Sequence, residues 1–311
     1  MNTNRIAPGK LSMAAACAAL LALLPGCDWI DSKLHPPPDL KFIEAGAEYS
    51  AKPDLAEVEY RYPLTPAELS QLTPKNIAHY TQEQVDQIYA RLTPGAIPDG
   101  VFDGGLFFPR GTSGKKRLAE IVGGLPGLAV QLKTQKLELI GATLWQGKVF
   151  YRDEGVLRNR ISDLSLLKPL IDGDPATLPQ LDAGGKHAWL MFPAKLYCGQ
   201  SLLDSRRESV IIDYYFSDDL PGYRERPDYL ASRRGFKVRD EIRMVRPGFY
   251  LGRAYLDRVF LLNFTLYNAE IAERDGDGFR KTGQVPPITD KNGETVKPCW
   301  PGTQQRARAP A

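Results

Sequence analysis

From Trp145 onward the apolar residues come in short runs that alternate with polar ones or fill whole segments, separated by Gly, Pro and Asp clusters. The runs are KVFYRD (148–153), GVLRNRIS (155–162), HAWLMFPAKLYCGQ (187–200), ESVIIDYYFS (208–217), KVRDEIRMV (237–245), FYLGRAYL (249–256) and RVFLLNFTLYN (258–268). Short strands joined by turns rather than helices predict an antiparallel β-barrel or sandwich over about 145–270. Ahead of them, Thr81 with Gln84 three residues later has the spacing of a capping box. Val85, Ile88, Tyr89 and Leu92 then fall on one helical face before Pro94-Gly95. GVFDGGLFFP (100–109) reads as a short strand, and 114–145 as one or two helices broken near Gly123-Gly124 and Pro126. The expected fold is α+β, a β-rich domain carrying a small N-terminal helical and irregular extension.

The run KVRDEIRMVRPGFYLGRAYLD (237–257) carries eight charged residues, and Pro247-Gly248 marks it as a hairpin. Side chains alternate faces in a strand. Val238, Asp240, Ile242 and Met244 therefore share one face of its first strand, and Arg239, Glu241, Arg243 and Val245 the other. On the second strand Phe249, Leu251, Arg253 and Tyr255 oppose Tyr250, Gly252, Ala254 and Leu256. The following strand is apolar except for Asn263 and Thr265, and ESVIIDYYFS embeds Asp213. Two readings stay open. Arg239, Glu241 and Arg243 are either the wet outer face that antiparallel sheets commonly keep, or they point inward. In the second reading Asp213, Glu241, Arg243, Arg253, Tyr255 and Asn263 are ligand-binding candidates meeting inside a barrel.

The N-terminus bears on compartment. Arg5 and Lys10 precede LSMAAACAALLALLPG, too short for a membrane span but suited to a secretory signal. It runs into Leu24-Pro25-Gly26-Cys27, which resembles the bacterial lipobox. The resemblance implies cleavage after Gly26 and acylation of Cys27 with diacylglyceryl and a further chain such as palmitate, enough to anchor the protein on a membrane. Asp28 favours the inner membrane, with the outer membrane as the alternative, the domain facing the periplasm. The segments are then a signal peptide (1–26), a lipidated Pro-rich tether and lead-in (27–75), a helical segment (76–140), the β-rich domain (141–272) and an irregular tail (273–311). KLHPPPDLKF (33–42) is polyproline-like, although Phe42, Ile43, Tyr60, Tyr62 and Leu64 would be wasted on a free linker.

Charge and cysteines narrow the chemistry. The chain carries +3, and the first 26 residues hold two basic and no acidic residues, which leaves +1 and no electrostatic case for nucleic acid. Beyond Cys27 only Cys198 and Cys299 remain. They are either a disulfide suited to an oxidising envelope or two buried thiols. Together with three histidines at no ligand spacing, they predict no metal site and no cofactor. GTSGKK (111–116) lacks the P-loop spacing, CGQSLL around Ser201 lacks the second glycine of a nucleophile elbow, and ERDGDGFRKTGQ (273–284) reads as a polar turn that nearly matches a calcium loop.

Gly141, Trp145 and Gly147 before the first long strand resemble the start of a calycin (lipocalin-like) barrel, in which the tryptophan plugs one end. Three functions follow as expectations. The first is an envelope lipoprotein whose β-rich domain binds an apolar or amphipathic, lipid-like ligand, with Arg243 or Arg253 as counter-ion to an anionic head. The second is a structural, partner-binding or inhibitory lipoprotein that engages another envelope protein. The third is an envelope hydrolase or isomerase working through a buried carboxylate, Asp213 or Glu241.

Overall fold

The computed structural model describes residues 32–44, 46, 52–108, 110–111, 144–165, 167–168 and 171–302. The lipobox with Cys27 and residues 114–143 of the helical stretch expected over 114–145 lie outside the described residues. Among the described residues, nine antiparallel strands run in chain order: β1 (Gly100–Phe107), β2 (Trp145–Tyr151), β3 (Val156–Ile161), β4 (Gln180–Ala183), β5 (Lys186–Gln200), β6 (Glu208–Asp213), β7 (Val238–Arg246), β8 (Phe249–Leu256) and β9 (Val259–Tyr267). Their order is β3-β2-β1-β9-β8-β7-β6-β5-β4, and β3 also pairs with β5. That last pairing closes eight strands into an up-and-down barrel and leaves β4 as a flap on the start of β5. Closure removes the open sheet edges that would otherwise invite aggregation. All seven expected strands are present, and the short strand expected in GVFDGGLFFP is β1, which joins the barrel from ahead of the expected 145–270 span.

Period-two alternation sorts the barrel's side chains. Phe102, Phe150, Leu157, Leu196, Val210, Ile212, Ile242, Met244, Tyr250, Phe264 and Leu266 point inward and form one core. At the end where β7 turns into β8 this core is solid, with Phe102 meeting Phe150 and Tyr250 edge-on at ring separations of 5.5 and 5.7 Å. The Cys198–Cys299 disulfide joins β5 to the C-terminal segment, with Cys299 buried among the same side chains. Gly252 has no alternative here, because a Cβ on it would stand 2.2 Å from the Phe264 ring. Gly252→Ala is expected to cost about 1–3 kcal/mol by overpacking, read as a lowered midpoint in urea with an unchanged slope.

The outer face of β7–β9 is covered by a helical layer. Helices α1 (Leu55–Arg61), α2 (Pro66–Gln71) and α3 (Gln82–Arg91) precede the barrel in the chain. Thr81 accepts from Gln84 N–H while the Gln84 side chain accepts from Thr81 N–H, the expected capping box. Val85, Ile88, Tyr89 and Leu92 bury against Val245, Phe249 and Leu251 of the wall, joined by Leu40, Leu72, Ile77 and Tyr80. Phe42 and Leu64 pack on this second core, so part of the Pro-rich lead-in is bound to the domain, whereas Tyr60 is exposed.

Residues 273–284, expected as a polar turn in an irregular tail, lie largely in helix α4 (Ala269–Thr282). Asn268 caps its N-terminus, Gly283 at φ +69° ends it, and Ala272 and Phe279 are its buried stripe. Gly276 and Gly278 cost roughly 1 kcal/mol each in helix propensity. Packing against α2 and β7 offsets that cost, which is why local sequence misread the segment.

Candidate functional site

The end of the barrel where β1 finishes and β2 begins is hollow. A cavity of about 320 Å³ lies between Leu106, Trp145, Phe192, Val238, Ala254, Leu262 and Phe264 of the barrel and Leu230, Ala231 and Phe236 of the β6–β7 connection. Its lining is almost wholly apolar. Four polar side chains meet it together: Lys148 on β2, Asn159 on β3, Tyr214 just after β6 and Asp240 on β7. Each sits at an inward position of a strand, or directly beyond one, whose other inward residues are apolar.

The four form one closed network. Lys148 Nζ donates to Asp240 Oδ2 at 2.9 Å, to Tyr214 Oη at 2.6 Å and to Asn159 Oδ1 at 2.9 Å. Trp145 Nε1 also donates to Asn159 Oδ1 at 3.0 Å. Both of these partners can only donate, so the amide is fixed with its oxygen toward them. Its nitrogen then donates to Tyr214 Oη at 2.9 Å and to the Phe192 carbonyl at 3.2 Å. The ammonium lies 5.2–5.5 Å from the ring centres of Tyr214, Phe264 and Trp145, a further stabilisation of a desolvated cation.

Burial sets the electrostatics of this floor. It raises the Asp240 carboxyl above the ordinary range, and the Lys148 charge only partly restores it. Burial also works against the Lys148 ammonium, but Asp240 and Tyr214 more than offset this and hold it above an ordinary lysine. The Tyr214 hydroxyl is pushed up to about 12 by burial, despite Lys148. The Lys148 ammonium thus has the Asp240 carboxyl as its counter-group at 2.9 Å, beside the Tyr214 hydroxyl.

One wall is conformationally unusual. Phe192 sits at φ +52° where β5 bulges against β3, a costly conformation for a bulky residue. It is pinned from both sides: its N–H donates to Asp228 Oδ1 at 2.8 Å, and its carbonyl accepts from Asn159. The other Asp228 oxygen accepts from Arg224 N–H at 2.9 Å. Buried Asp228 thus ties the β6–β7 connection to the strained residue, and both contribute to the cavity rim.

Comparison of the chain with protein families, with curated proteins and with solved structures finds no match.

None of the six candidates named from the sequence lines this cavity. Glu241, Arg243, Arg253, Tyr255 and Asn263 lie on the outward face of β7–β9. That face is not wet, because α3 and residues 201–207 cover it. Arg243 donates to Asp204 Oδ2 at 3.0 Å, Ser209 Oγ at 3.0 Å and the carbonyls of Tyr89, Asp204 and Arg207. Arg253 pairs with Asp86 of α3 and donates to Tyr255 Oη at 2.9 Å, and Asn263 donates to Gln82 Oε1 at 2.7 Å. Glu241 accepts from Leu202 N–H at 2.8 Å and from Arg239 at 3.3 Å. Asp213 has the same outward parity and accepts from Tyr197 Oη at 2.8 Å. The ladder is a buried ionic layer that fixes helix to barrel, so neither the wet-face nor the inward reading holds.

Of the remaining motifs, residues 112–116 of GTSGKK lie outside the described residues. Ser201 Oγ accepts from the backbone N–H groups of Leu203 and Asp204, a turn cap rather than a nucleophile. Among the described residues, Cys198, Glu208 and Cys299 stand at metal-ligand spacing, but the two sulfurs are bonded to each other. Among the described residues, no helix is long and apolar enough to cross a membrane.

Proposed function

We propose that this chain is a membrane-anchored envelope lipoprotein, acylated at Cys27, whose β-barrel holds an apolar or amphipathic small molecule in its hollow half. The cavity carries the reading. It is walled by aromatic and aliphatic side chains, holds a few convergent polar groups on one side, and falls at the small end of ligand pockets, which run from about 300 to 1,000 Å³. An eight-stranded barrel is also the size at which the interior either fills with side chains or holds one small ligand. Here it does both, one half packed and the other open. The lipobox resemblance supplies the anchor and the compartment.

The polar end of the ligand meets Lys148, Asn159, Tyr214 and Asp240. Arg243 and Arg253, the counter-ions expected from the sequence, lie outside the barrel wall and serve the helical layer. Protein purified without exposure to organic solvent, then extracted with chloroform and methanol, is expected to yield one lipid-like compound at close to one per chain by mass spectrometry. A protein that yields none and binds no apolar fluorophore would sink the carrier reading and favour the partner-binding one.

A further inference from the structure

The hydrogen-bonding groups of the cavity floor are almost all engaged with one another. An ammonium has three N–H donors, and Lys148 spends them on Asp240, Tyr214 and Asn159. Both Asn159 amide hydrogens and both lone pairs of its oxygen are engaged, as is the indole N–H of Trp145. Tyr214 Oη accepts from Lys148 and Asn159 and sends its own proton to Asp240 Oδ2, 3.4 Å away. Asp240 Oδ2 therefore receives two donors. Its other oxygen, Oδ1, has no hydrogen-bond partner among the described residues, although Asp240 is buried and lines the cavity. The floor offers a ligand one acceptor and no donor.

Resting on the carrier reading, we infer that the head of the bound molecule is an uncharged hydroxyl that donates to Asp240 Oδ1, so that the ligand class is an apolar alcohol. Charge excludes the neighbouring classes. The Lys148–Asp240 pair is already neutral, so an ionised carboxylate or an ammonium would enter an apolar cavity uncompensated, which is very unfavourable. Hydrogen bonding excludes others. A ketone, ester or ether brings only acceptors, and an amide or protonated acid brings a carbonyl that no remaining donor can meet. A hydroxyl satisfies the one open site and adds little else to desolvate.

The test is a matched series in which only the head changes. Displacement of the neutral fluorophore N-phenyl-1-naphthylamine is titrated with 1-decanol, decanoate, decylamine and decane at about pH 7 and about pH 8. Decanol is expected to compete roughly ten-fold or more better than each of the others, because an unmet or uncompensated group is the penalty for them. Its affinity should be the same at both pH values. Decanoate, entering only as the protonated acid, should weaken about ten-fold over that one unit. In Asp240→Asn the Lys148 charge is no longer neutralised, and the preference should pass to decanoate. Decanoate, decylamine or decane matching decanol on the wild type would overturn the hydroxyl assignment and leave the carrier reading standing. A protein that binds neither fluorophore nor any of the four would overturn both. Should Asp240→Asn fail to fold, the wild-type ranking alone decides.

Discussion

Arg243→Ala is expected to lower stability by about 3–5 kcal/mol, the range for breaking a buried ion pair by removing one partner. The loss has three sources. Asp204 is left in a buried site with only Arg206, Ser209 Oγ loses a donor, and the carbonyls of Tyr89 on α3 and of Asp204 and Arg207 lose theirs. At roughly 2–4 °C per kcal/mol for a chain of this size, the midpoint of thermal unfolding should fall on the order of 10 °C. Below that midpoint, binding of an apolar fluorophore should be unchanged, since Arg243 lies outside the cavity. The pair also has an acid signature. Burial works against the Asp204 carboxylate, but Arg206 and Arg243 outweigh it and hold Asp204 below the ordinary range. Its contribution is therefore present above the ordinary aspartate value of about 3.9 and lost as pH falls through the lowered one. Calorimetry of wild type and variant between about pH 3 and 7 should show the difference shrinking at the acid end.

Lys148→Met is also expected to lose its deficit toward acid, but over a pH window above the ordinary aspartate value rather than below it. It keeps the bulk of the side chain but strips Asp240 of its counter-charge, Tyr214 of its shortest hydrogen bond and Asn159 of one donor. Asp240 is already raised by burial with the lysine in place, and without it the carboxyl moves further up. A raised carboxyl stabilises the fold through its protonated form. That contribution is complete below about pH 3.9 and lost as pH rises through the folded value. The variant should thus be several kcal/mol less stable than wild type near pH 7 and approach it as pH falls. Lys148→Met combined with Asp240→Leu should recover most of the loss, because replacing both members of a buried pair by apolar groups is often neutral. A deficit in the single variant that does not vary with pH would contradict the ion pair as the source.

The two variants fall on opposite faces of one sheet, and that division marks how far the sequence could be read. Strand positions came from alternation and turn residues, both local signals, and β2, β3 and β5–β9 all lie where those signals put them. The capping box at Thr81 was local too. The environment of each face was not. A sheet face in water and one beneath amphipathic helices carry different polar residues, but Arg239, Glu241 and Arg243 fit either until the helical layer is known to dock there. The signal for the true site was fainter. Lys148 shares its face with Phe150, Asn159 with Leu157 and Ile161, and Asp240 with Ile242 and Met244. One lone polar residue on the apolar face of each of three strands points to a common interior. The conspicuous arginines drew the reading outward instead. Helix α4 was missed because two glycines and seven charges hid a stripe only seven residues apart, Ala272 and Phe279.

The central claim is that the hollow half of the barrel is a binding site. Ala254→Phe tests it most directly, because Ala254 points into the cavity from β8 and a phenyl group there occupies the space a ligand would take. The measurement is native mass spectrometry of wild type and variant after equilibration with 1-decanol. The account predicts a one-to-one adduct on the wild type and none on a folded Ala254→Phe. An adduct that survives with the cavity filled, or a wild type that never forms one, would contradict it.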